Sequence, residues 1–203
     1  MNGFGQALLE DYADKLDNKG KDYLHRIRHS SQQMGELIDD LLKLSRLTRI
    51  EMYSKKVNLS QMVKTIVKEY KEIYPDRKNK FIIAEDKFVK GDPSLLRIIL
   101  RNLIDNAIKF TSKKDNAEIE FGTVFKDGSK VFFIRDNGVG FNMDNSEKLF
   151  EIFNRQHTGY EGTGLGLATV KRIIHRHNGR IWAEGKINEG ATFYFTIGSK
   201  LEP

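Results

Sequence analysis

Between Leu24 and Thr48, apolar or small side chains return at alternating steps of three and four residues: Leu24, Ile27, Ser31, Met34, Ile38, Leu41, Ser45 and Thr48. That is the spacing of a helical seam, in which every marked side chain faces one partner surface. Leu37, Leu42 and Leu44 widen the stripe beyond a two-stranded seam, towards a helix bundle. No proline interrupts the stretch, so residues 19–50 are predicted to form one long helix. A shorter apolar segment, Phe4 to Tyr12, precedes it, with Asp14 to Gly20 as a polar connection. The pair reads as a helical hairpin whose first helix is short. Two such helices leave much of the stripe uncovered, so a second copy of the chain is its natural partner. Packing of the long helix on the rest of its own chain is the alternative.

Beyond residue 53 the periodicity changes. Val63, Ile66, Val67 and Tyr70 mark a helix, and residues 81–84 (FIIA) a short strand. Asp92-Pro93 opens a further helix, with Asp as N-cap and Pro pre-set at the first helical position. Residues 118–125 and 130–135 are expected to pair across an Asp127-Gly128 turn. Leu165 to His177 is predicted helical, followed by strands at 180–184 and 191–197. The chain therefore divides into residues 1–52 and 53–203, the second part an α/β sandwich with a mostly antiparallel sheet.

Composition excludes several classes. With no cysteine there is neither a disulfide scaffold nor a thiolate metal site. No apolar run approaches the roughly 18 residues of a membrane span, so no membrane contact is expected within this chain. The net charge is +6, but the 34 Lys and Arg are interleaved with 28 acids, which describes a solvated surface and not a nucleic-acid footprint.

Three segments carry chemistry. In the helix ending in RNLIDNAIKF (101–110), Leu96, Ile99, Leu100, Leu103, Ala107 and Phe110 form the apolar face, and Asn102, Asn106 and Lys109, four and three residues apart, share one common side. Asn is a poor residue for a helix interior, whereas its amide oxygen suits Mg²⁺ and a neighbouring lysine suits phosphate. A plain solvated face with an Asp105–Lys109 ion pair would also explain them. DNGVGF (136–141) ends an apolar strand with a carboxylate, then two glycines that let backbone approach a flat ligand; ordinary turn chemistry is the simpler account. GTGLGLATV (162–170) runs three glycines straight into a helix, whose first amides attract phosphate oxygens. It lacks the Gly-Lys-Ser/Thr ending of a P-loop, and Leu167 stands where a dinucleotide fingerprint needs its third glycine.

In this order, the three segments resemble the ATP-binding fold shared by histidine kinases, gyrase-type ATPases and mismatch-repair ATPases. LFEIFNR (149–155) resembles the phenylalanine box of histidine kinases, NGRIW and EGATFYFTI resemble their closing strands, and the long seam helix resembles part of their dimerisation and phosphotransfer domain. The implied fold class is α+β: a two-layer sandwich of the histidine kinase, gyrase and chaperone ATPase type, with a mixed sheet, preceded by a helical hairpin. The resemblance implies that Asn106 holds Mg²⁺, supported by Asn102, that Lys109 contacts phosphate, and that Phe110 flanks the nucleotide. Asp136 would read the adenine amine with Thr192 through a water, and Gly138 and Gly140 would let backbone pass the base. Gly162, Thr163, Gly164, Leu165, Gly166 and Leu167 would form the lid over the triphosphate. Phe150 and Phe153 would anchor that lid, and Arg155 would touch the γ-phosphate. Asn106, Lys109 and Arg155 are thus the catalytic candidates, with ATP and Mg²⁺ as cofactors.

Asn102 occupies the place where gyrase-type ATPases of this fold carry a water-activating Glu, so phosphoryl transfer is favoured over hydrolysis. The acceptor histidine implied by the family, followed by an acid and then usually a proline, has no counterpart here. His25 and His29 lie on the long helix beside Arg26 and Arg28, and no proline precedes Pro75. The acceptor is therefore expected outside this chain. A cytoplasmic homodimer serving a response regulator completes the expectation. A gyrase-type ATPase and a non-enzymatic dimeric nucleotide-binding module are the alternatives.

Overall fold

The computed structural model describes residues 2–46, 51–126, 128–154, 159–160 and 162–198. The chain forms two compact units, Met1–Arg49 and Ile50–Pro203.

In the first unit, α1 (Asn2–Asp11) and α2 (Asn18–Arg46) make the expected hairpin. Asp17 Oδ1 accepts the Gly20 backbone N–H at 2.7 Å, a cap that starts α2 inside the predicted connection. The predicted end of this helix, Arg46 to Ile50 with Thr48, runs into residues 47–50, which lie outside the described ones. Ile27, Met34, Ile38 and Leu42 remain about half exposed on the single chain. His29 is held by Gln33 one turn on, at 3.0 Å, and Arg26 pairs with Asp22 at 2.9 Å.

The second unit is built on a five-stranded sheet. Its strands are β2 (Lys80–Ile83), β4 (Glu118–Lys126), β5 (Ser129–Asp136), β7 (Gly190–Phe195) and β6 (Ile181–Lys186), in the spatial order β2-β4-β5-β7-β6. Only the β2–β4 pairing is parallel; the other three are antiparallel. Helices α3 (Leu59–Ile73), α4 (Pro93–Phe110) and α5 (Gly166–Arg176) supply the second layer. Leu96, Ile99, Leu103, Ile173 and Ile174 are buried with Ile119, Phe121, Phe132, Ile134, Phe193 and Phe195 from the strands. The helix and strand predictions hold to within two or three residues. Asp127 of the predicted hairpin turn lies outside the described residues; Gly128, at φ +72°, does adopt the left-handed region such a turn requires.

A second sheet was not anticipated. β1 (Lys55–Asn58) and β3 (Phe88–Gly91) pair antiparallel. Only Val57 and Val89 alternate inward among lysines, a pattern too polar to announce a strand.

Both ends of α4 are secured. Asp92 Oδ1 accepts from the Ser94 and Leu95 amides at 2.9 and 3.1 Å, and Oδ2 from the Tyr53 amide at 2.9 Å. Burial works against the Asp92 carboxylate, but these three donors outweigh it and hold its pKa below the ordinary value. The Asp92 N–H donates to His177 Nε2 at 3.1 Å, while His177 Nδ1 donates to the Ile173 carbonyl at 2.8 Å. A histidine without a ligand set in the sequence is thus a buried tie between the start of α4 and the end of α5. His177→Ala leaves a cavity and orphans the Asp92 backbone N–H, while the Ile173 carbonyl keeps the residue 177 N–H, and should cost about 2–4 kcal/mol. Urea denaturation at neutral pH measures this, and an unchanged midpoint would refute the tie. No helix among the described residues is long and apolar enough to cross a membrane.

Candidate functional site

The three glycine- and asparagine-bearing segments, up to 60 residues apart in sequence, converge along the last two turns of α4. Asn102 donates from Nδ2 to the Ile98 carbonyl at 2.9 Å. Its Oδ1 faces the first residue of α5, where a Cβ on Gly166 would come within 2.7 Å of it. At the other end, the Phe110 carbonyl accepts the Val139 N–H at 3.3 Å and would lie 2.5 Å from a Cβ on Gly138. These two meeting points are eight residues apart on the helix, about 12 Å along its axis. Asn106 lies between them, half-buried, and makes no hydrogen bond to any described residue. Lys109 Nζ sits 4.5 Å from the Phe110 ring centroid, and 3.3 Å from where a Gly162 Cβ would be. Asp105, the other polar group of this turn, is 3.9 Å from Arg101.

Asp136 ends β5, almost fully buried. Burial pushes its carboxyl up to about 6, against the opposing help of the Gly138 and Ala191 backbone N–H groups; the Gly138 amide donates to Oδ1 at 2.8 Å. Asn137 fastens the same corner, donating to the Asn116 carbonyl and accepting from the Glu118 amide at 2.8 and 2.9 Å. Gly140 adopts φ +61° with the Lys186 carbonyl only 1.9 Å from a would-be Cβ, so the DNGVGF turn is packed against backbone on both sides.

The glycine loop closes the other end. Gly162 and Gly164 have φ of +141° and +74°, conformations that favour glycine. Leu165, almost wholly buried, anchors the loop, and no side chain caps the start of α5. The first amides of that helix are therefore available to an anion. Thr163 Oγ1 accepts the Leu165 N–H at 3.4 Å, and Leu167 lies in the first turn of α5. Phe150 is buried edge-on against Phe193, with ring centroids 6.5 Å apart. Phe153 is half-exposed at φ +65°, and its backbone lies 3.1 Å from a Gly164 Cβ. Phe153 thus borders the loop it was expected to anchor, whereas Phe150 packs on the sheet through Phe193. Arg155 lies outside the described residues.

Thr192 is a correction. The β5–β7 register sets Ala191 opposite Asp136 and Thr192 opposite Arg135, and neighbouring strand residues face opposite sides of a sheet. Thr192 Oγ1 accepts from Arg135 Nε at 3.3 Å, on the face away from the Asp136 carboxyl. Tyr160 was missed: its ring meets Phe110 edge-on at 5.2 Å, with Lys113 Nζ 5.0 Å from the ring centroid. Its single aromatic in the polar run NRQHTGYE was the available signal. Among the described residues no cluster of three His, Asp or Glu side chains could hold a metal, so a cation here would share its coordination with its ligand.

The donor set suits one molecular shape. A buried carboxylate at one end can accept from an amino group, and it is carried by a turn whose glycines pack directly on the Phe110 and Lys186 carbonyls. An open carboxamide, a lysine and an uncapped helix start meet anionic groups at the other end. Known proteins bear the same stamp. Residues 91–200 match the family described as Histidine kinase-, DNA gyrase B-, and HSP90-like ATPase, and residues 1–50 match the His Kinase A (phospho-acceptor) domain. Cyanobacterial phytochrome B of Nostoc sp. is 34% identical over 202 residues, covering 97% of this chain and 27% of the relative. The methanogenesis regulatory histidine kinase FilI of Methanothrix harundinacea is 34% identical over 198 residues, covering 97% and 22%. Full-length ShkA, solved in complex with AMPPNP, superposes with a TM-score of 0.67 at 27% identity, covering 97% of this chain and 42% of that one. The chain spans about a quarter of the length of the curated relatives it matches. With the sandwich, the paired glycine segments and the helical hairpin all in place, this chain belongs to the histidine kinase-, gyrase- and HSP90-like ATPase family, as the catalytic region of a sensor histidine kinase.

Proposed function

We propose that this chain binds Mg-ATP and transfers its γ-phosphoryl group to a histidine of a sensor kinase, in the cytoplasm, as a homodimer that serves a response regulator. The single observation that carries the reading is the contrast along α4. Asn102 is tied to Ile98 and faces Gly166, whereas Asn106 keeps its carboxamide open between the two glycine segments. Asp136 accepts from the adenine amine, and Gly138 and Gly140 let the turn that carries it pack closely on the Phe110 and Lys186 carbonyls. Phe110 flanks the nucleotide. The amides from Gly162 to Leu167 and the Lys109 ammonium hold the phosphates, and Arg155 is assigned to the γ-phosphate. Asn106 would hold Mg²⁺, which neutralises charge on the phosphate oxygens when bound. In the transfer, an imidazole nitrogen of the acceptor forms the new P–N bond as the bond to the β-phosphate oxygen breaks, and ADP leaves. Positioning and charge neutralisation supply most of the catalysis in such a step. The half-exposed stripe of α2 supports dimerisation.

Incubation with γ-labelled ATP and a supplied acceptor helix tests this: label should pass to the helix histidine. A chain that binds ATP yet never labels it sinks the kinase reading. Asn102 lacks the carboxylate that would activate water, so turnover without acceptor should be slow. Asn102→Glu should raise acceptor-free hydrolysis by up to about 100-fold, the low end of what a general base contributes. Steady turnover in the unsubstituted chain would favour the gyrase-type alternative.

A further inference from the structure

We propose that the outward face of the β1–β3 ribbon is a docking surface for an acidic, extended segment of a partner protein. Register and alternation place Lys56 and Phe88 on that face with Lys90 directly across from Lys56. All three are exposed. Lys56 Nζ lies 4.7 Å from the Phe88 ring centroid. A third cation arrives from the start of β5, where Lys130 Nζ donates to the Phe88 carbonyl at 3.4 Å.

Among the described residues, none of Lys56, Lys90 and Lys130 forms an ion pair, as is also true of exposed lysines such as Lys71 and Lys78 on the same unit. One feature distinguishes this patch from an ordinary solvated face: like charges directly opposite each other on paired strands are destabilising, yet the ribbon sets Lys56 against Lys90. An anionic group placed across the pair removes that repulsion, and Phe88 beside it offers an apolar contact. An extended segment with acidic and apolar side chains two residues apart presents both on one face and matches both. The face is four residues long, about 13 Å, which fits a short peptide stretch and is too short for the extended series of phosphate contacts on which nucleic-acid affinity depends. One aromatic without a surrounding apolar belt likewise offers a bilayer little to bury. The surface is separate from the residues assigned to the nucleotide.

The test uses the whole chain and a fluorescein-labelled peptide of twelve residues repeating Glu-Gly-Leu-Gly, read by anisotropy. Binding is expected to weaken as salt rises. Lys56→Gln/Lys90→Gln should weaken it at least 10-fold while leaving ATP affinity unchanged, and Phe88→Ser several-fold. The double variant should melt at or above the parent temperature, which separates lost docking from lost folding. Equal affinity in the double variant, or equal binding of a Lys-Gly-Leu-Gly control peptide, overturns the proposal. Tighter binding to phosphatidylserine vesicles or to duplex DNA than to the acidic peptide overturns it as well.

Discussion

Asp136→Asn should weaken ATP binding by about 100-fold and yet make the ligand-free protein more stable at pH 7. The two effects share one cause. Burial raises the Asp136 pKa from 3.8 to about 6, so the folded chain holds a proton there that the unfolded chain releases. Stability is therefore highest below the unfolded value, falls as pH rises from about 4 to 6, and is lowered above that by roughly 3 kcal/mol. Asparagine has no charge to bury and can still accept the Gly138 N–H. The gain in thermal midpoint should appear at pH 7 and vanish near pH 4, and an equal gain at both pH values would rule out charge burial as the cause. In the proposed binding mode the ionised carboxylate accepts from the adenine amine, and a hydrogen bond to a charged group is worth roughly 1.5–3 kcal/mol. Wild-type affinity should accordingly fall as pH drops through about 6, whereas the Asp136→Asn variant, weak throughout, should show no such step. Calorimetric titration across this range reads both.

The second large effect concerns the fold and not the ligand. Gly140→Ala should cost about 3–5 kcal/mol, enough to unfold a marginally stable domain. The new Cβ would sit 1.9 Å from the Lys186 carbonyl oxygen and 2.8 Å from that of Gly190, at φ +61°. Neither neighbour is a flexible side-chain tip, so backbone must move. Gly128→Ala is the control: φ there is +72°, but nothing lies within 4 Å of its Cβ. The control carries only the left-handed penalty of about 1–2 kcal/mol. Equal losses in guanidinium melts of the two variants would mean that conformation alone, without the clash, sets the cost at Gly140.

The sequence was most readable where local chemistry and tertiary role coincide. Asp92-Pro93 states the start of α4 because capping is a local act, and the β4–β5 hairpin is legible because alternation runs to both sides of its turn. The glycine segments could be ordered as a site because each loop must come close to something. What was not legible depends on partners remote in sequence. The β1–β3 ribbon has too few inward apolar residues to reveal itself. Thr192 was misassigned by a single register step, and one step turns a side chain to the other face of a sheet. His177 had no legible role, since nothing near it in sequence points to Asp92, 85 residues away.

That tie has a mechanical consequence. Helix α5, 11 residues and about 16 Å long, is clamped at its C-terminal end to the root of α4 and carries no cap at its glycine-loop end. Its other end is seated too, through buried Leu165 and through Gly166 against Asn102, so it is a beam supported at both ends, one of them beside the open carboxamide of Asn106. A displacement of the glycine loop is passed along that beam to His177. Its reaction is felt at Asp92, whose second carboxylate oxygen grips the Tyr53 amide, near the beginning of the unit.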